Sequence, residues 1–248
     1  MSMRFSLLLL ACVAAILAAA SSSGKADVTV NQVSNGTQYF TPAQLAKMPA
    51  PVRAMMAKGT SAQPATPCSM YVKGKRVRFE VATSIYITTL GSSNVCVVDR
   101  GTRTYCTLPQ NAYYTGALGG KPFDMRFVPI GSSKPKTIFG HKCVEYKLST
   151  TQPIGKITGD IWVAPDLPTP PIPVAEGMYI KALLKHWHEI HGMPLAVNIT
   201  ISSKTNGRIV FTTTTESITT APVDPSLFTP PAGYRKTGKP IDIDTPDN

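Results

Sequence analysis

Lys73-Gly74-Lys75-Arg76-Val77-Arg78-Phe79-Glu80-Val81 is the stretch that decides the fold class of this chain. Val77, Phe79 and Val81 alternate with Arg76, Arg78 and Glu80, and a period of two is the signature of a strand with one apolar and one polar face. Lys73-Gly74-Lys75 ahead of it is a turn signal, and it joins this strand to an earlier one around Met70-Tyr71-Val72.

The same alternation recurs outward from there. Val28 and Val30 alternate with Asp27, Thr29 and Asn31, and Val144, Tyr146 and Leu148 alternate with Cys143, Glu145 and Lys147. Further turn signals fall at Leu90-Gly91-Ser92-Ser93-Asn94, Asp99-Arg100-Gly101 and Asn206-Gly207. Short strands at this spacing, each wet on one face, predict a large antiparallel sheet, sandwich or barrel. Closing Asn206-Gly207 as a two-residue hairpin would set Ile201 against Thr212 and Phe211 against Ser202, mixing apolar and polar positions. A bulge or a longer loop is therefore expected there. The threonines from Thr212 to Thr215 suit a solvated face.

Two segments read as helical. Thr41-Pro42-Ala43-Gln44 is a capping box with proline at the first helical position, followed by Leu45, Met48, Val52, Met55 and Met56 at helical spacing. Pro49 and Pro51 interrupt it, which predicts two short helices ending at Gly59. The second runs over residues 177–191, with Ile180, Leu183, Leu184 and Trp187 on one face and Lys181, Lys185 and Glu189 opposite.

Residues 1–20 have the three-part form of a secretory signal peptide: Arg4, an apolar run from Ser6 to Leu17, and the small exit Ala18-Ala19-Ala20. The run is too short for a membrane span of about 20 residues. Leu9-Leu10-Ala11-Cys12 resembles a lipobox, but the apolar run continues past Cys12 to Ala20. Cleavage after Ala20 or after Ala26 fits equally, and the protein is expected to be periplasmic or secreted. Residues 21–65 then form an N-terminal strand and a helical, lid-like segment. Residues 66–238 form the sheet with its one helix, and residues 239–248 an acidic tail. Residues 21–238 make a single structural domain, because no proline-rich connection is long enough to separate two.

With 25 basic and 14 acidic residues the formal net charge is +11. Such a surface favours an anionic membrane surface or acidic partners, and it also serves solubility. Nucleic acid is not expected as a partner outside the cytoplasm. Cys68, Cys96, Cys106 and Cys143 are disulfide candidates in that compartment. Cys96 and Cys106 lie symmetrically about Gly101, so a hairpin there would bring them face to face. Cys68 then pairs with Cys143, or both stay as buried thiols.

Catalytic signatures are missing: there is no Gly-x-Ser-x-Gly, no His-Glu-x-x-His and no phosphate-cradling glycine loop. His186-Trp187-His188-Glu189-Ile190-His191 invites a zinc reading and hence a metal-dependent hydrolase, the least favoured function. On a helix, however, His186 and His188 lie about 160 degrees apart. Only His188 and His191 share a side, and His191 falls on the apolar stripe. Glu80 and Asp124 are the nearest thing to a carboxylate pair, with nothing to single them out. Asn35-Gly36-Thr37 and Asn198-Ile199-Thr200 are glycosylation sequons. No cofactor is implied and no enzyme is expected.

A longer series of landmarks carries a resemblance. It runs through Phe139-Gly140-His141-Lys142-Cys143-Val144-Glu145-Tyr146, then Gly159-Asp160-Ile161-Trp162-Val163-Ala164 and Gly192-Met193-Pro194-Leu195. It closes on Pro222-Val223-Asp224-Pro225-Ser226-Leu227-Phe228-Thr229-Pro230-Pro231-Ala232-Gly233-Tyr234. Over roughly residues 66–236 the chain resembles a family of exported bacterial proteins with a domain of unknown function, related to the periplasmic lipoprotein-localisation (Lol-type) carriers. That resemblance implies a mainly β fold: a half-open antiparallel β-barrel or strongly curved sheet, with helices covering its concave face.

The function expected is non-enzymatic binding of a lipid, lipoprotein or other apolar ligand in the concave cavity. The wall would be Phe79, Val81, Ile85, Ile87, Phe127, Trp162, Val197 and Ile199, with Met48, Met55 and Met56 as cover. The alternative is a cell-envelope structural or interaction module whose core is filled.

Overall fold

Alternation at Arg76–Val81 does build a strand, and it lies near the middle of one half of a large sheet. The computed structural model describes residues 26–56, 59–62, 64–89, 92–109, 126–130, 136–152, 155–169, 189–203 and 207–238. Fourteen strands fall among them. They are β1 (Val28–Tyr39), β2 (Thr60–Ala62), β3 (Thr66–Lys73), β4 (Arg76–Val81), β5 (Ser84–Thr89), β6 (Asn94–Asp99) and β7 (Thr104–Pro109). The second half holds β8 (Arg126–Ile130), β9 (Lys136–Ile138), β10 (His141–Gln152), β11 (Gly155–Ala164), β12 (Met193–Ser203), β13 (Gly207–Thr219) and β14 (Arg235–Lys236).

Neighbours follow the order β14-β7-β6-β5-β4-β3-β1-β13-β12-β11-β10-β8, with β2 on β1 and β9 on β10. Two meanders, β3 to β7 and β10 to β13, are thus stitched together by β1, which pairs antiparallel with both β3 and β13. Only β14 runs parallel to its neighbour, β7. The sheet is curved and open: β14 and β8 stand at its two ends, and among the described residues nothing joins them.

Turn chemistry sets the register. Gly74, with φ of +56°, takes the first place of the two-residue turn between Lys73 and Arg76, where a left-handed residue is needed. Between β12 and β13 the loop is longer than the two residues of Asn206-Gly207. Ser203 pairs with Gly207, which brings Ile201 opposite Ile209 and Ile199 opposite Phe211. Apolar therefore faces apolar. Gly207 has φ of +72°, and a Cβ there would lie 2.1 Å from the Tyr39 carbonyl oxygen. No other residue fits without moving β1.

Thr41 caps the first helix as its sequence predicts: its backbone N–H donates to Gln44 Oε1 at 2.7 Å, and the Gln44 N–H returns to Thr41 Oγ1 at 3.3 Å. Helix α1 (Pro42–Ala46) and helix α2 (Ala50–Met55) follow, separated at Pro49, with Pro51 in the first turn of α2 and the helix ending at Met55 rather than at Gly59. Both sit in an excursion between β1 and β2, closed at its base by the Phe40 N–H on the Gly59 carbonyl, 2.8 Å. No residue of α1 is buried. Most of the helix expected over 177–191 lies outside the described residues; at its end Ile190 is buried and His191, placed by its spacing on the apolar stripe, is exposed.

Two strands depart from the one-wet-face pattern. In β5 the residues Ser84 to Thr88 are all buried, and in β4 Arg78 is only 6% exposed. Both faces of this part of the sheet are covered. In β10 Val144 stays in phase with buried Tyr146 and Leu148 but is 37% exposed, while Cys143, on the opposite face, is buried.

Candidate binding faces

From β1 through β7, residues of one parity make one apolar face. Met70 pairs with Phe79 and Phe79 with Tyr86, whose rings stack with centroids 6.1 Å apart. Tyr86 pairs with Val97 and Val97 with Cys106. Val28 and Val30 extend the face onto β1, and Val72, Val77, Val81 and Val95 complete it. β-branched and aromatic cross-strand pairs of this kind are what a pleated surface stabilises best.

A second apolar cluster lies on β10 to β13, where Tyr146, Leu148, Ile157, Ile161, Ile199 and Ile201 pack with Val197, Ile209 and Phe211. Where the two halves approach, β12 carries an irregularity opposite Trp162 and Val163. Buried Gln32 bridges it. Its Nε2 donates to the Pro194 carbonyl at 3.0 Å and to Thr215 Oγ1 at 3.1 Å, and that hydroxyl donates to the Leu195 carbonyl at 2.6 Å. Carbonyls displaced from the ladder thus find donors from β1 and β13.

The opposite face of β3 to β7 is occupied by the chain's own C-terminal segment. Val223 and Phe228 are buried against Ile85, Ile87 and Val98, with Leu227 and Tyr234 beside them. A short 3-10 turn, Pro225–Phe228, is capped by Asp224, whose carboxylate accepts from the Ser226 N–H; that bond holds its pKa below the usual carboxylate value. Polar clamps hold the segment down. Arg78 donates to the Leu227 carbonyl at 2.7 Å while pairing with Glu80, which also pairs with Arg100. Lys73 donates to the Val223 carbonyl and to Asp27, both at 2.7 Å, and Asp27 accepts from the Val223 N–H at 2.9 Å. The Lys73 bond, reinforced by Val223, holds the Asp27 carboxyl below its ordinary pKa.

The expected wall is therefore divided. Phe79 and Val81 lie on the first face, and Trp162 is half-buried against that cluster, with Lys136 Nζ 5.1 Å from its ring centroid. Val197 and Ile199 lie in the second cluster. Ile85 and Ile87 point the other way, under the C-terminal segment, because they are one residue out of phase with Tyr86 on the same strand. Phe127 holds the register position opposite Leu148, and its side chain lies outside the described residues. Met48 and Met56 are half-buried and belong to none of the three clusters; the Met55 side chain lies outside the described residues. The C-terminal cover was missed because proline-rich stretches such as Pro222 to Pro231 carry no periodicity.

Among the described residues Cys68, Cys96, Cys106 and Cys143 form no disulfide, contrary to the pairing expected from Gly101. Thr104 pairs with Asp99, which puts Cys106 opposite Val97 and Cys96 opposite Thr107. Symmetry about Gly101 is off by one residue, so the two side chains leave on opposite faces. Burial pushes Cys96 up to about 11 and raises Cys143 as well.

Acid–base groups are engaged structurally. Glu80 serves the two arginines, and Asp124 lies outside the described residues. Lys147 pairs with Asp160 and Glu145, which raise its pKa. His141 Nδ1 is 2.6 Å from Asp166. No group of three or more metal-ligating side chains occurs among the described residues, and His186 and His188 fall outside them.

No family model matches the chain, and no curated protein matches it. Among solved structures, the chain is similar to a LolA superfamily protein from Nitrosomonas europaea. The two are 8% identical, with a TM-score of 0.32, over 83% of this chain and 90% of that one.

Proposed function

We propose that this is a non-enzymatic exported protein, periplasmic or secreted, that holds a lipid, a lipoprotein's acyl chains or another apolar ligand against the open sheet. The observation that carries this reading is a continuous apolar face over β1 and β3 to β7, in a sheet whose two ends do not pair among the described residues. Such a sheet can receive a chain between its halves, and each methylene taken out of water stabilises the complex by about 0.8 kcal/mol. Phe79, Val81, Met70 and Tyr86 form one wall of the proposed site, with Val197 and Ile199 on the other half. Trp162 lines its margin, and Phe127 is included for its register position opposite Leu148. Ile85 and Ile87 are reassigned to anchoring the C-terminal segment.

A second reading has its own support: Val30, Val95 and Val97 are fully buried, which suits a filled core in an envelope interaction module. Native mass spectrometry of protein purified from its own host separates the two. Carriage predicts a retained lipid-sized adduct. Bare protein in repeated preparations favours the module.

A further inference from the structure

One end of the sheet is cationic and amphipathic. A single row of paired residues crosses five strands there: Tyr39 on β1, Arg208 on β13, Ser202 on β12, Lys156 on β11 and Thr151 on β10. At about 4.8 Å between strands, Lys156 and Arg208 stand about 10 Å apart. Both are exposed, and the Arg208 guanidinium lies 4.3 Å from the centroid of the Tyr39 ring.

From the same end, between β1 and β2, the α1–α2 excursion projects with exposed Lys47 and Arg53. It also carries Val52, 37% exposed, and half-buried Leu45, Met48 and Met56. No aspartate or glutamate occurs in the sequence from Gly36 to Thr66, from Thr150 to Thr158 or from Thr200 to Thr212, the segments that contain the described residues of this end. Among the described residues, Asp27, Asp166, Glu189 and Asp224 flank the opposite strand ends.

We propose that this end docks onto an anionic lipid bilayer. Four cations at two levels, surrounding aliphatic and thioether side chains, match a layer of anionic headgroups over acyl chains. Two helices broken by Pro49 and Pro51 are too short to span and suited to lying in the interface. Methionines adapt to a fluid surface better than branched side chains do. The docking does not require the sheet to hold a ligand, so it stands or falls apart from the carriage reading.

The test is vesicle flotation of the full mature chain, using phosphatidylglycerol/phosphatidylcholine vesicles and phosphatidylcholine alone. The protein should float with the anionic vesicles only, and less well at high salt. The double variant Lys47→Glu/Arg53→Glu should weaken binding by about a hundredfold at low salt. Val52→Asp should weaken it at both salt levels. Lys142→Glu, a reversal at the opposite strand end, should leave it unchanged. Thermal melts check that the variants fold; if the double variant does not, Arg208→Glu takes its place with an expected loss of about tenfold. A loss from Lys142→Glu of about tenfold, half the double variant's on a logarithmic scale, would mean that net charge alone drives binding. Either that result or no flotation with anionic vesicles overturns the proposal, as does capture of an acidic polypeptide by a surface that ignores them.

Discussion

Asp27 shows how much a single side chain does for this fold. Its carboxylate receives Lys73 from β3 and the Val223 N–H from the C-terminal segment, tying the start of β1 and that segment to β3. Because its folded pKa is lowered from 3.8, its contribution is complete above that value and is lost as pH falls through the lower, folded one. Asp27→Asn should therefore cost about 1–2 kcal/mol at pH 7, with the difference from wild type shrinking below about pH 4. Urea titrations at pH 7 and pH 3 measure it; an equal deficit at both would contradict the assignment. The cysteines give a second residue-scale prediction. Unfolded under non-reducing conditions, both Cys96 and Cys106 should alkylate, whereas a linked Cys96–Cys106 peptide would contradict the register. Sequence symmetry misled here because a hairpin's register depends on the length of its loop, and that length is not written in the cysteine spacing.

Among the elements, β4 was legible and its surroundings were not. Alternation sorted Val77, Phe79 and Val81 from Arg78 and Glu80 correctly, yet the charged pair faces a covering segment rather than water. Nothing in the strand itself announces this, since an arginine bonded to Glu80 and to the Leu227 carbonyl reads like any surface arginine. The neighbouring strand gave a fainter signal: Ser84-Ile85-Tyr86-Ile87 has apolar residues on both faces, the mark of a strand covered twice. Phe228, 8% exposed, is the anchor of the cover. Phe228→Ala should destabilise the protein by about 3–4 kcal/mol, read as a lower urea midpoint at unchanged slope. A loss below about 1 kcal/mol would mean that the segment contributes little to the core. The helix start at Thr41 was readable to the residue, since a capping box is a local signal; the second helix ends at Met55 rather than at Gly59, and Pro51 sits in its first turn, where proline is tolerated. None of the described residues of the two helices joins the three apolar clusters, so the expected cover over the concave face is not seen among the described residues.

At the scale of the whole molecule, the mainly β class and the antiparallel pairing followed from period-two patterning, but the order of strands did not. Joining the two meanders through β1 requires Val30 to meet both Met70 and Ile218, a pairing across nearly the full chain that no local pattern encodes. The division of the proposed wall between faces has the same origin, for residues one apart in sequence are on opposite sides of a sheet. What results is an open sheet with one face covered by its own C-terminus and the other, from Val30 through Phe79 to Val97, proposed for an apolar ligand. Native mass spectrometry of protein from its own host, comparing wild type with Phe79→Asp, tests that proposal most directly. The account predicts a lipid-sized adduct on the wild type that is lost or much reduced in a folded Phe79→Asp protein; bare wild type, or an adduct retained unchanged by the variant, would contradict it.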